Sequence, residues 1–401
     1  MNKPRIFIAI HYMELGGAEI SLLGLLNALD TERCDVDLFI YSHRGELMDL
    51  LPSKINLLPE IEEYAHIESS MVACLKAGCW KVLWGRLKAK YLFKKYQRLH
   101  HPKDVSAIFQ MVADEVTPSL PSLTHLGVYD LAISFVTPHN IVLEKVLAKK
   151  KMAWIHTDYT HIDVKVEREL KVWSQYDHIA SISEQVTNTF LQRFPSLASK
   201  IVLIENILSP HFVRERSKVF TYCFPKHLDA VNLLSVGRYS PQKNFDNVPD
   251  ICRRIRAVGI NVYWYLIGYG GDEDLIRQKI ADANMQDYVV LLGKQSNPYP
   301  YIAACDIYVQ PSRYEGKSVT VREAQMLCKP VVVTNYATAS SQVRQGEDGV
   351  IVPMDNAGCA AGIVELIRNR KLQKYLSEYL QVHDYGNEEE VQKVYQIICE
   401  V

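Results

Sequence analysis

The densest chemistry in the sequence lies in its second half, in the run Pro311-Ser312-Arg313-Tyr314-Glu315-Gly316-Lys317-Ser318-Val319-Thr320-Val321-Arg322-Glu323-Ala324. Glu315 falls in a loop, and Glu323 follows about two turns into a helix on the same face. Between them, Gly316, Lys317, Ser318 and Val319 form the loop and helix N-terminus, whose free N–H groups attract an anion. A second run, Gly237-Arg238-Tyr239-Ser240-Pro241-Gln242-Lys243-Asn244, places a planar guanidinium and a point-charge ammonium within reach of one diphosphate. Two glycine clusters complete the set. Gly16-Gly17-Ala18-Glu19 opens a helix, and Gly268-Tyr269-Gly270-Gly271 precedes the acidic helix start Asp272-Glu273-Asp274. Glycines there allow close approach of a ligand, a planar base in the case of Gly268 and Gly270, or serve the turn alone. Singly, each feature also reads as a solvated cation, a helix-capping glutamate or a plain turn. Together, carboxylates flanking an anion-binding turn suit a ligand with phosphate in the middle and hydroxyl groups at either end, which describes a sugar nucleotide.

Several chemistries are disfavoured. No Gly-x-Gly-x-x-Gly follows a strand, so the dinucleotide fingerprint fails. The nine cysteines are scattered without a Cys-x-x-Cys pair or histidines at ligand spacing. This argues for reduced thiols, a cytoplasmic address and no zinc, and no aspartate-rich motif suggests a cation. No apolar run approaches the roughly 20 residues of a membrane span. The start of the chain reads as a buried strand rather than a signal peptide.

The elements that must position these groups alternate between short apolar strands and helices. Strands are expected at 5–10, 36–41, 129–134, 151–156, 178–182 and 201–204, then at 232–236, 262–267, 288–292, 307–310, 330–333 and 350–353. A helix is expected over 18–29. Strands apolar throughout are buried on both faces, which implies parallel sheets covered by helices. The two sets predict an α/β chain of two doubly wound, Rossmann-like domains. The first covers 1–208, a linker 209–229, and the second 230–385. In open parallel sheets ligands bind beyond the carboxyl ends of the strands, where the runs above fall.

The stretch from Val236 to Pro353 resembles the C-terminal domain of family-4 retaining glycosyltransferases of the GT-B fold. The resemblance rests on V-G-R-x-x-x-x-K, the glycine-rich turn after the next strand, P-S-x-x-E-G with E-x(7)-E, A-x-x-x-x-K-P-V-V-V and the closing G-x-x-V-P. The N-terminal half agrees through Gly16-Gly17-Ala18-Glu19, Trp154-Ile155-His156, Ser181-Ile182-Ser183 and Asn206. The resemblance implies two domains facing a deep cleft, with residues 386–401 crossing back as a helix onto the N-terminal, acceptor-side domain. It further implies that Gly237, Arg238 and Lys243 hold the donor diphosphate, Glu323 the ribose hydroxyls and Glu315 the donor sugar. Backbone N–H groups of Lys317, Ser318 and Val319 would contact phosphate or sugar, Gly16 and Gly17 would let the first loop close on the donor, and His156 would lie beside the transferred sugar. The usual aromatic and glycine after Glu-Gly are replaced by Lys317 and Ser318, which leaves the sugar's identity open.

Overall charge is balanced, 45 Lys+Arg against 46 Asp+Glu, which argues against a nucleic-acid partner. The balance is an average. From Ser69 to Lys103 there are nine cations and no acid, interleaved with Trp80, Trp84, Leu87, Tyr91, Leu92 and Phe93. Residues 76–103 therefore read either as a cationic helix on an anionic bilayer or as one packed on its own domain. The expected function is retaining, metal-independent and cofactor-free transfer of a sugar from a nucleotide-diphosphate donor, a UDP-sugar by preference. The acceptor would be a glycan hydroxyl, lipid-linked, in cell-surface polysaccharide synthesis. A sugar-nucleotide epimerase or hydrolase and a non-catalytic sugar-nucleotide-binding protein are the alternatives.

Overall fold

The computed structural model describes residues 3–14, 16–101, 105–157, 159–160, 162–222, 224 and 230–400. Lys103, Cys223 and residues 225–229 of the expected linker lie outside them. The chain divides into two compact units, 1–208 with 387–401, and 209–386.

The first unit holds seven parallel strands: β1 (Arg5–Ile10), β2 (Asp35–Ile40), β3 (Asn56–Leu57), β4 (Val128–Ser134), β5 (Leu147–Ile155), β6 (His178–Ser181) and β7 (Ile201–Leu203). Their order is β3-β2-β1-β4-β5-β6-β7. The second unit holds β8 (Val231–Val236), β9 (Val262–Ile267), β10 (Val289–Gly293), β11 (Ile307–Gln310), β12 (Val331–Thr334) and β13 (Val350–Val352), in the order β10-β9-β8-β11-β12-β13. Helices separate most strands, as crossovers between parallel neighbours require. The strand interiors are largely apolar and buried, for example Ile6 to Ile10 and Leu233 with Leu234. Each sheet reverses its order once, between β1 and β4 and between β8 and β11. Those reversals are where an open parallel sheet leaves a crevice at its carboxyl edge.

Twelve of the thirteen strands match expectation to within a residue or so at most ends. β5 starts four residues earlier than its apolar core, and the two-residue β3 is too short to show a period. The linker assignment needs correction. Residues 210–217 form a helix (Pro210–Ser217) belonging to the second unit, with Pro210 in its first turn and Ser209 Oγ accepting the Phe212 N–H at 3.3 Å. Proline suits a first turn because its missing N–H has no intrahelical partner there. Phe212 packs edge-on against Tyr299, and Asn297 Nδ2 donates to the Arg216 carbonyl.

Residues 387–400 pack on the first unit. The helix Val391–Cys399 brings Tyr395, whose hydroxyl accepts the Asp30 N–H at 2.7 Å. Lys150 Nζ donates to the carbonyls of Ile397 and Glu400, and Asn387 Oδ1 accepts from Leu208 N. Among the described residues no helix is long and apolar enough to cross a membrane.

Candidate functional site

In the second unit the two charged runs form one site, at the reversal between β8 and β11. Lys243 Nζ lies 2.6 Å from Glu315 Oε1, with both side chains largely buried. Glu315 also accepts from Ser312 Oγ at 2.6 Å and from Gln242 Nε2 at 3.2 Å, and its carbonyl accepts from Thr338 Oγ1. The loops after β8 and β11 are knitted together beyond this pair. Arg313 grips the Asp246 carboxylate with both terminal nitrogens, at 3.0 and 2.7 Å, and its N–H donates to the Gln242 carbonyl. Asn244, at φ 61°, donates from Nδ2 to the Pro311 carbonyl. Arg238 is exposed, and its guanidinium has no ion pair or hydrogen bond among the described residues. One cation of the predicted pair is thus held by Glu315 and the other is free.

The glycine cluster after β9 joins the same site as backbone. Gly268 and Gly270 adopt φ of 154° and 155°, and a Cβ there would stand 1.9 Å from the Gly237 carbonyl oxygen and 2.3 Å from that of Tyr239. Tyr239 N–H donates to the Tyr269 carbonyl at 2.8 Å. These glycines let the loops after β8 and β9 touch, so the turn reading accounts for them without a base.

Glu323 is fully enclosed in the helix Val319–Met326, where Tyr299 donates its hydroxyl to Oε1 at 2.8 Å. Burial raises its pKa to about 7, against a smaller lowering by the Tyr299 hydrogen bond. The two carboxylates share a neighbour in Tyr308, whose hydroxyl is pushed up chiefly by burial and additionally by both charges. Of the backbone groups expected to face an anion, the Ser318 N–H is already taken, donating to Gln342 Oε1 at 3.0 Å while Gln342 Nε2 donates to the Ser318 carbonyl. Lys317 is exposed, Gly316 and Val319 are half-buried, and Ser318 is buried.

In the first unit Gly16 caps the helix Gly17–Ala28, and its own Cβ would collide with the Glu19 carboxylate. A Cβ on Gly17 would meet nothing within 4 Å, so packing gives no reason for glycine there. His156 follows β5 directly. Its ring stacks on Trp154 at 6.1 Å and lies 4.7 Å from Phe135, and its buried Nε2 has no partner. Burial lowers its pKa to about 3, so the imidazole is neutral. His156 lines a cavity of about 160 Å³ with Thr137, Gln110 and Glu169. Glu169 accepts from Tyr159 OH and Trp173 Nε1, and burial raises it to about 7.

A second cavity of about 290 Å³ sits at the β1 and β4 reversal. His11, the first residue after β1, places Nδ1 2.5 Å from Glu68 Oε1. Its Nε2 is buried without a partner, and Tyr41, Arg86, Pro138 and Ile141 complete the lining with several aliphatic side chains. Sequence reasoning misses His11, Glu68 and Tyr299. The rule of searching strand ends points to His11, but nothing local announces a partner 57 positions on.

Comparison with known proteins agrees with the architecture. Residues 225–383 match the family described as glycosyl transferases group 1. The lipopolysaccharide core biosynthesis glycosyltransferase LpsE of Rhizobium meliloti is 28% identical over 151 residues, 37% of this chain and 43% of that protein. The N-acetylgalactosamine-N,N'-diacetylbacillosaminyl-diphospho-undecaprenol 4-alpha-N-acetylgalactosaminyltransferase of Campylobacter jejuni is 28% identical over 144 residues, 35% of this chain and 39% of that protein. The chain thus spans about two-fifths of the length of these relatives. The structure of Anabaena Alr3699/HepE in complex with UDP and glucose superposes with a TM-score of 0.66 at 16% identity, over 99% of this chain and 100% of that one. The chain therefore has the GT-B fold, and its residues 225–383 carry a glycosyl transferases group 1 domain.

Proposed function

We propose that the chain is a retaining glycosyltransferase that moves a sugar from a nucleotide-diphosphate donor, a UDP-sugar, to a hydroxyl of a glycan acceptor carried on a lipid. One observation carries the reading: the Lys243 and Glu315 pair, with unpaired Arg238 in the same loop, at the strand-order reversal of the second sheet. A departing nucleoside diphosphate accumulates negative charge, and fixed cations stabilise it without reorganisation. Arg238 and Lys243 take that role, with Gly237 giving the loop access to phosphate. Glu315, positioned by Ser312 and Gln242, receives a hydroxyl of the donor sugar. Glu323, close to half-protonated near pH 7, faces the ribose hydroxyls. The N–H groups of Lys317 and Val319 approach the phosphate or sugar.

The residues account for leaving-group stabilisation by protein cations, and the reaction is proposed to need no metal or cofactor. Retention follows if the leaving phosphate itself assists the incoming hydroxyl on the same face, so that positioning and charge supply most of the rate. His156, a neutral imidazole beside two aromatic rings, donates to or accepts from the donor sugar without adding charge. Gly17, unconstrained by packing, leaves room for the first loop to approach it. A UDP donor is supported by the UDP and glucose bound to HepE, and a lipid-linked acceptor by the name of the Campylobacter relative. A cytoplasmic address is supported by the cysteines, all free among the described residues. The product belongs to cell-surface polysaccharide.

The test is a thermal-shift panel of UDP-, GDP- and ADP-sugars, followed by transfer assays with the stabilising donor and NMR of the product's anomeric centre. A UDP-sugar should raise the melting temperature, and the product should keep the donor's configuration with chelator present. Inversion, epimer release, or binding without turnover would each overturn the reading.

A further inference from the structure

The basic segment of the first unit forms a 21-residue helix, Trp80–His100. It has two apolar stripes on opposite faces. One is buried through Val82, Gly85, Ala89 and Phe93, and packs on the helix Ala107–Val116 around Met111. Gly85 belongs to that seam, since a Cβ there would press within 2.8 Å of the Glu115 carbonyl oxygen. The other stripe faces outward. Trp80, Trp84, Leu87 and Tyr91 are 56%, 68%, 42% and 69% exposed. At about 100° per residue these four fall within an arc of roughly 60°.

Cations flank the outer stripe on both sides. Lys81 and Lys95 lie to one side and Lys90 and Lys94 to the other, with Arg98 in line at its end. None of the five has an ion pair among the described residues. The cations that do have partners, Lys88 with Glu115 and Arg86 with the His66 carbonyl, bind the helix to its own unit. Two stripes resolve the choice the sequence leaves open: the helix packs on its domain with one face and still presents two indoles, a leucine and a tyrosine to solvent. Exposed apolar patches of this kind mark interaction surfaces.

We propose that this face lies on an anionic lipid bilayer, with Trp80, Trp84, Leu87 and Tyr91 in the headgroup layer and Lys81, Lys90, Lys94, Lys95 and Arg98 over the lipid phosphates. Charge complementarity selects the occupant. Indoles and a phenol combine an apolar body with a polar tip, which suits the water-lipid boundary. Unpaired lysines on either side suit a surface of one negative sign. The inference stands apart from the transfer reading, since it rests on a surface that none of the proposed donor residues enters.

The experiment uses the full chain with vesicles of phosphatidylglycerol mixed with phosphatidylethanolamine, against phosphatidylcholine alone. Trp154, Trp173 and Trp264 are fully buried, so of the five tryptophans only Trp80 and Trp84 report on the solvent side. The anionic vesicles should shift emission to the blue and sediment the protein, and phosphatidylcholine should do neither. Reversing Lys90, Lys94 and Lys95 to glutamate should weaken binding about 100-fold or more, at about fivefold per cation removed. W84A, at an exposed position, should remove about half of the blue shift, Trp80 reporting the rest, while leaving the melting temperature unchanged. Emission insensitive to anionic vesicles, sedimentation indifferent to the charge reversals, or a W84A-sensitive dimer in vesicle-free buffer would overturn the proposal.

Discussion

At the end of β8 the second unit sets a lysine against a carboxylate and leaves an arginine free, whereas at the ends of β1, β4 and β5 the first unit sets histidines among aromatic rings. His139, after β4, is buried with Nδ1 2.8 Å from Ser134 Oγ and an unpartnered Nε2, and burial lowers its pKa to about 3, as for His156. Lys243 and Arg238 put positive charge at the one edge, whereas the imidazoles that follow β4 and β5 at the other are neutral donors and acceptors. Such a division suits a reaction that separates charge on the donor's phosphate while it asks only for hydrogen bonds and exclusion of water around sugar hydroxyls. The lesson is that the same strand-end rule finds both edges, but the chemistry of each is decided by what surrounds it.

The sharpest way to break this contrast is to remove the charge. Lys243→Ala should lower UDP-sugar turnover about 10³-fold, at the upper end of what one stabilising group contributes. It should also destabilise the second unit by about 3 kcal/mol, because Glu315 is left buried without its counter-charge. Arg238→Ala should reduce turnover about 10²-fold with an unchanged melting temperature, since that side chain is exposed and unpaired. Equal stability loss in both variants would show that the two cations do not differ as the geometry indicates.

A smaller effect is expected on the neutral edge. His156→Ala should lower kcat about 10- to 100-fold while leaving the donor's Kd nearly unchanged, the range for one hydrogen bond to a group that gains charge in the transition state. Wild-type turnover would remove His156 from the chemistry. Loss of donor binding as large as that of Lys243→Ala would place charge recognition on the wrong unit.

These contrasts were unequally legible in the sequence, and particular residues show why. The second unit's site is built from loops whose partners recur in short motifs, so Glu315, Glu323, Arg238 and Lys243 stand out by type and spacing. Their pairing does not. Whether Lys243 meets phosphate or Glu315 depends on two loops separated by about 70 residues. Tyr299 is hidden among ordinary helix residues, although it holds Glu323. In the first unit the glycines and His156 follow strands, but Glu169 and Glu68 reach their sites from helices and loops without a local pattern. The fold itself was legible almost throughout, because buried parallel strands are apolar along their whole length. It failed where chain chemistry is ambiguous. Pro210 signals a break and also a first helical turn, and the helix Trp80–His100 is apolar on two faces, so no single period points to its packing side.

Acid distinguishes the units by sign. His139 and His156 have folded pKa values near 3, below their ordinary 6.5, so the unfolded chain binds more protons and stability is lost as pH falls through 6.5 towards 3. Glu169 and Glu323 have folded values near 7, above their ordinary 4.5, so the folded chain binds more protons and stability is gained as pH falls from 7 towards 4.5. The first unit holds both histidines and Glu169, and the second holds Glu323. Between pH 7 and pH 5 the first unit should lose about 1.5 kcal/mol net and the second gain about 2 kcal/mol. Amide protection factors, corrected for the slower intrinsic exchange at pH 5, should therefore fall in β4 and β5 and rise in β8 and β11. Parallel changes in both sheets would contradict the assignment.

The smallest effect separates two neighbouring glycines. A Cβ at Gly16 would stand 2.1 Å from a Glu19 carboxylate oxygen, the far end of a flexible side chain, so Gly16→Ala should disturb the cap only slightly. Gly17, the first residue of its helix, meets nothing, and exchanging glycine for alanine in a helix gains up to about 0.5–1 kcal/mol by restricting the unfolded chain. Gly17→Ala should therefore leave the melting temperature unchanged or slightly raised. If the open space beside Gly17 is kept for the donor, the same variant should raise the KM for the UDP-sugar several-fold. A stabilised protein with an unchanged KM would mean that Gly17 serves only the turn into the helix.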